Sequence, residues 1–154
     1  MNQPIPASVS CHLYDHAIQW GPFAGIENLE LTLCDIDEER HIVDLLVRFA
    51  PNKTVTMHNH LAQTNMFIVQ GELRMYEPDG SIRERRPAGR YYRGRTHDAH
   101  SEGGGPDGAV VLYSMRCDGE NDVLEIMDDA QNVLATLTMD DVRAAWAAQQ
   151  AARG

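Results

Sequence analysis

Leu29, Leu31 and Leu33 alternate with Glu30 and Thr32, the first regular signal along the chain. Successive side chains of an extended strand point to opposite faces, so this period of two predicts a half-buried strand. After the polar turn DIDEER (35–40), the segment HIVDLLVRF (41–49) predicts a second strand, rich in Val and Leu. A Pro-Asn turn at 50–53 leads to a third strand over 54–60, and residues 65–76 predict a fourth, with a bulge or bend at Gly71. EPDG (77–80) is a turn signal, so 70–86 reads as a hairpin. A short strand follows around Tyr91 and Tyr92, then a flexible loop, SEGGGPDG (101–108), and a strand at 109–115. Residues 123–137 predict one more hairpin. Thr138 and Asp141 have capping-box spacing, with Asp in place of the usual Glu or Gln, and open a helix over about 139–152 anchored by Trp146.

Short strands at regular spacing, separated by turns and closed by one helix, suit a single antiparallel sandwich or barrel. The expected organisation is an N-terminal arm over 1–25, punctuated by Pro and Gly, and one all-β domain over 26–154. The arm and the helix are each suited to cover an edge strand or to join subunits.

Composition narrows the function. At 154 residues the chain can bury a core without disulfides. A net charge of −10 argues against a nucleic-acid or anionic-membrane partner, because phosphates are met by clustered Lys and Arg. The one basic run, Arg83 to Arg95, is broken by Glu84, Pro87 and Gly89 and reads as a solvated strand and turn, with substrate contact as the other reading. Cys11, Cys34 and Cys117 are odd in number and scattered, which suggests free thiols in a reducing, cytoplasmic setting. The N-terminus lacks the pattern of a signal peptide, and no apolar run approaches the roughly 20 residues that span a bilayer.

The candidate chemistry lies in TMHNHLAQTNMFIVQGEL (56–73). On a strand, His58 and His60 share a face with α-carbons about 6.5–7 Å apart, close enough for both imidazoles to reach one ion. A third ligand must come from another strand. His97 of GRTH (94–97) is the leading candidate and His100 its rival. His12, His16 and His41 stand alone and read as surface or hydrogen-bonded residues. A glutamate often follows such a histidine pair as a further ligand, but Thr64 and Asn65 stand there.

These motifs resemble the two of a single-domain cupin, an antiparallel jelly-roll β-barrel. His58, His60 and Gly71 carry the first; Gly94 and His97 carry the second, with Tyr92 where proline is usual. Within the cupins the chain is similar to the small three-histidine dioxygenases, the acetylacetone-cleaving (diketone) and dihydroxyacetophenone enzymes. The ending DAQNVLATLTMDDVRAAW resembles theirs as well. The resemblance implies Fe(II) held by His58, His60 and His97, with Zn(II) or Ni(II) able to occupy the site as purified. It also implies a small ketone and dioxygen as substrates, and a homodimer or homotetramer. Three neutral imidazoles leave the ion its full charge, which favours a monoanionic chelating substrate such as a β-diketone enolate. The implied reaction proceeds from that enolate, with oxygen, to scission between adjacent oxygenated carbons.

Two polar pocket positions of the diketone enzymes fall at Tyr76 and Tyr91, and His100 falls on a small hydroxyl residue, which suits an aromatic or bulkier ketone. Gln63 and Asn65 are candidates to orient the imidazoles. Two other functions compete. One is a non-catalytic metal-binding cupin that regulates a partner, resembling the cupin half of certain anti-sigma factors, for whose additional helical domain the 25-residue arm is too short. The other is a metal-dependent isomerase or hydrolase with His100 or Tyr91 as acid or base.

Overall fold

A computed structural model describes residues 18–154. The first seventeen residues of the expected arm, with Cys11, His12 and His16, lie outside the described residues. Two antiparallel sheets enclose the core. The larger contains β1 (Leu29–Asp37), β2 (Ile42–Phe49), β4 (Gln63–Tyr76), β5 (Ile82–Pro87), β6 (Tyr91–Arg93) and β7 (Ser101–Arg116). Its order is β1-β2-β7-β4-β5, with β6 also paired to β4. The smaller sheet has the order β3-β8-β9, from β3 (His58–His60), β8 (Asp122–Met127) and β9 (Val133–Thr138).

Alternation builds the interior as expected. Val43, Leu45, Val47 and Phe49 of β2 are buried while their neighbours are half-exposed, and Val111 of the adjacent β7 and Ile68 and Leu73 of β4 beyond it are wholly buried. β4 bends at Gly71, where φ is +73° and a Cβ would meet the Gly108 carbonyl oxygen at 2.2 Å. Ladder shifts flank the bend, so the expected bulge is present.

The glycine-rich segment is not a loop. Residues 101–108 are the first half of β7, paired with β4 and bridged to the chain at Pro51 and Thr54. A Cβ on Gly103 would lie 1.9 Å from the Lys53 carbonyl oxygen, and one on Gly104 2.8 Å from that of Ala50. Glycine here lets two backbones touch, which is a different use from flexibility in a turn.

α1 (Met139–Arg153) closes the barrel. Thr138 caps it with the reciprocal bonds of a capping box, its side chain accepting from the Asp141 amide and its own amide donating to the Asp141 carboxylate. Met139 and Val142 are its buried anchors, and Trp146 packs half-buried beside them. One turn further on, the Gln149 amide accepts from the Leu33 N–H at 2.8 Å and donates to the Leu33 carbonyl at 2.8 Å. The helix thereby covers part of the edge strand β1.

Candidate metal centre

β3 is three residues long, and both of its edges are paired. On one side it pairs with β8, His60 opposite Leu124 and His58 opposite Ile126. On the other, His58 and His100 exchange two backbone hydrogen bonds, of 2.9 and 3.0 Å. Residues directly opposed in an antiparallel pair share a face with Cβ atoms about 4.5–5.5 Å apart. The bridge therefore sets His100 beside His58, and the alternation of β3 adds His60.

The three side chains each offer a ligand atom within 4.8 Å of the others, and all three residues are buried. Their ring centroids are 4.6 to 5.5 Å apart. Each Nδ1 already has a fixed oxygen partner: the Thr56 carbonyl for His58 at 2.9 Å, the Asp98 carbonyl for His100 at 2.7 Å, and the Thr64 hydroxyl for His60 at 3.0 Å. A carbonyl can only accept, so Nδ1 of His58 and His100 carries the proton and the lone pair of the neutral ring lies on Nε2. Thr64 donates onward to the Ala62 carbonyl at 3.1 Å, which leaves its oxygen to accept from His60 in the same way. Thr64, at the place of the expected glutamate, thus orients a ligand instead of supplying one.

The Nε2 atom of His60 is buried without a hydrogen-bond partner. Burial, and the proximity of His58 and His100, lower its pKa to about 3, so the ring is neutral at ordinary pH. Convergent imidazoles with anchored far nitrogens, one of them orphaned, fit a divalent transition metal.

His97 does not join the cluster. Its amide donates to the His60 carbonyl at 2.9 Å, but at φ +56° its side chain turns outward and is exposed. Gln63 donates to the Gly94 carbonyl and to Asn65, holding β4 to the segment after β6, while the Nδ1 partners of the three histidines are Thr56, Thr64 and Asp98. Tyr91 is 63% exposed, and Tyr76 lines a surface hollow with Glu77 and Ser101. His41 is half-buried, away from the cluster, and its Nδ1 bonds the Glu120 carbonyl.

Two groups beside the cluster escaped the sequence reading. Glu102 is buried, with Oε1 3.5 Å from His58 Nε2 and Oε2 without a partner. Burial pushes its carboxyl up, but His58, with His100 and His60, outweighs burial and holds it down at about 2. Tyr113 is buried with an unpartnered hydroxyl, and burial together with the charge of Glu102 raises its pKa well above the ordinary value. An i, i+2 reading of His100-Ser101-Glu102 as strand would have marked Glu102. Three histidines alone would leave an ion its full charge, and Glu102 brings a negative charge beside them.

The cluster lies between two cavities. Inside the barrel, about 80 Å³ of apolar space is bounded by His58, His60, Glu102 and Tyr113 at one end and by residues such as Leu45, Val47 and Leu124 elsewhere. Toward solvent, an opening of about 470 Å³ reaches His60, Thr64 and His100 past Arg83, Arg86, Arg93 and Arg95. Arg83 is clamped by Glu77 and Asp98, and Arg86 pairs with Glu84 and stacks on Tyr92. Four arginines of the basic run, Arg83, Arg86, Arg93 and Arg95, therefore stand at the rim of the site, and Arg85 pairs with Glu72 away from it.

A family profile described as the ChrR cupin-like domain matches residues 10–116. The chain belongs to this cupin family. No curated protein matches its sequence. Solved structures match its fold: an acetylacetone dioxygenase from Acinetobacter johnsonii is 16% identical, with a TM-score of 0.66 over 84% of this chain and 86% of that one. An RmlC-like cupin from Ralstonia eutropha is 17% identical, with a TM-score of 0.71 over 87% of this chain and 82% of that one. The polyketide cyclase RemF from Streptomyces resistomycificus is 17% identical, with a TM-score of 0.54 over 66% and 75%. These likenesses show the fold. The protein is a single-domain cupin with a three-histidine metal site. Among the described residues, no helix is long and apolar enough to cross a membrane.

Proposed function

We propose that this cupin is a cytoplasmic non-haem Fe(II) dioxygenase that cleaves a carbon–carbon bond in a small enolisable ketone such as a β-diketone. The observation that carries the reading is three Nε2 lone pairs converging beside a small apolar cavity, with the opposite nitrogens anchored. The metal, when bound, supplies Lewis acidity and the redox chemistry that dioxygen requires. The chain supplies the rest. Thr56, Thr64 and Asp98 hold the rings, and the apolar cavity takes a small substituent and excludes water. In the opening Glu77, Asp98 and Glu84 pair with Arg83 and Arg86, and Arg93 and Arg95 leave it the positive excess that draws a monoanion into a chain that is otherwise strongly acidic. A fold shared with an acetylacetone dioxygenase supports the reading.

The test is oxygen uptake by untagged protein reconstituted anaerobically with Fe(II). Consumption with β-diketones, and none with a ketone that cannot enolise or without iron, is expected. An iron-loaded protein that consumes no oxygen with any enolisable ketone refutes it.

The match to the ChrR cupin-like domain favours a second reading, a non-catalytic metal-binding cupin that regulates a partner. That reading expects tight metal binding and no oxygen uptake. The isomerase or hydrolase alternative loses both of its named groups, since His100 stands in the metal cluster and Tyr91 faces solvent.

A further inference from the structure

We infer that Glu102 is the fourth group of the metal site, a carboxylate from β7 that stands in for the glutamate absent after His60 and offsets one unit of the ion's charge. The inference rests on the three-histidine site and is independent of the reaction proposed for it.

His100 and Glu102 are two residues apart where the chain enters β7, so they project to the same face. Across the His58–His100 bridge, β3 presents His58 and His60 to that face in the same way. The site is thus two facing i, i+2 pairs, histidine with histidine and histidine with glutamate.

Glu102 also lacks the partners that a buried carboxylate ordinarily has. Its side chain is 7% exposed, and no Lys or Arg pairs with it among the described residues. The nearest cationic candidate is His58, approached at Nε2, the nitrogen left free for the ion. The Tyr113 hydroxyl lies beside the carboxylate without a well-formed hydrogen bond to it, which leaves the other oxygen of Glu102 and the neighbouring His60 Nε2 without a partner. A dehydrated carboxylate is strongly unfavourable unless a cation meets it. The ligand atoms within 4.8 Å of one another are those of the three histidines, and Glu102 stands beside them at His58, so a divalent ion on the three Nε2 atoms satisfies the orphaned imidazole directly and the carboxylate once its side chain turns toward the ion.

A competing explanation makes Glu102 only the counter-ion of a protonated His58, and the two predict opposite responses to its removal. If Glu102 serves the ion, Glu102→Gln weakens metal binding. If it serves a proton on His58, the same change removes a competitor, and binding is unchanged or tighter.

Co(II) and Zn(II) titration of the metal-free full-length protein against a competing chelator decides between them. The expected result is a 10- to 100-fold weaker Kd for Glu102→Gln, with shifted Co(II) visible bands, and an intermediate Kd for Glu102→Asp, which keeps the charge on a shorter arm. His97→Ala, outside the cluster, leaves both readouts at wild-type values. Glu102→Gln binding Co(II) as tightly as wild type or tighter, with unchanged bands, overturns the inference. Should Glu102→Gln fail to fold, Glu102→Asp at wild-type affinity and spectrum overturns it equally. Because neither substrate nor oxygen is present, failure of the dioxygenase reading leaves this result untouched, and loss of binding in His60→Ala but not in Glu102→Gln removes Glu102 alone.

Discussion

Replacing Thr64 by valine keeps the branched shape and removes one hydroxyl. That hydroxyl accepts from His60 Nδ1 at 3.0 Å and donates to the Ala62 carbonyl at 3.1 Å, in a residue 2% exposed. The variant leaves a buried N–H without an acceptor and a carbonyl without this donor, a cost of about 1–3 kcal/mol. The added methyl returns at most about 0.8 kcal/mol of apolar burial, so the metal-free protein loses about 1–2 kcal/mol in urea unfolding. The effect on the metal has a separate origin. Once Nδ1 has no acceptor, the proton is no longer held there, and a proton on Nε2 removes the lone pair that the ion needs. Loss of such an orienting partner typically weakens metal binding by about 10- to 100-fold. Thr64→Ser keeps the hydroxyl and so keeps the affinity, although it loses the methyl packing. Competition titration with Co(II) on the three proteins is the assay. If Thr64→Val binds within twofold of wild type, Thr64 does not orient His60, and the explanation offered for its place in the motif is wrong.

The metal-free protein should be most stable near pH 6.5. Burial lowers His60 to about 3, so between pH 6.5 and 3 the unfolded chain takes up a proton that the folded one refuses, and stability falls with falling pH by up to about 1.4 kcal/mol per unit. Burial also pushes His58 down, but Glu102 outweighs it and raises His58, so its contribution is complete below pH 6.5 and is lost as pH rises through the folded value. Urea midpoints that do not vary from pH 4 to 9 would contradict this. Gly103→Ala places a Cβ against the Lys53 carbonyl and should cost about 3 kcal/mol, at the upper end for overpacking, with weakened metal binding because β7 carries Glu102 next to His100. An alanine variant as stable as wild type would show that the two backbones can separate freely. Gln149→Ala removes both bonds to the Leu33 backbone and should cost about 1–3 kcal/mol, with faster hydrogen exchange at the Leu33 amide. Unchanged exchange there would mean that the helix does not seal the β1 edge.

Elements whose local pattern and tertiary role coincide were legible in the sequence. The strand at Leu29–Leu33, the alternation at Val43–Phe49, the bend at Gly71 and the Thr138–Asp141 cap all follow from side-chain direction or backbone freedom within a few residues, whereas the burial of Thr32, on the polar face of the first pattern, comes from Gln149 and Arg153 of the helix above it. The H-x-H pair was legible for the same reason. The third histidine was not, because its identity depends on whether 101–108 is loop or strand. Three successive glycines ordinarily punctuate a chain, whereas here Gly103 and Gly104 admit close backbone neighbours, a role visible only once those neighbours are in place. Reading that segment as a loop detached His100 from its bridge to His58, favoured His97, and hid Glu102. Tyr76 and Tyr91 were located by alignment with a family, and register carried them to other surfaces. Thr64 appeared only as an absence, since nothing in one sequence says that a hydroxyl will meet Nδ1 of His60.

The central claim is that His58, His60 and His100 hold one divalent metal. The most direct test is the metal content of untagged protein, with Fe(II) affinity after anaerobic reconstitution, for wild type, His97→Ala and His100→Ala. One ion per chain in wild type and His97→Ala, with binding weakened at least about 100-fold in His100→Ala, is the predicted result. Binding that survives His100→Ala but is lost in His97→Ala, or no metal in any of the three, would contradict it.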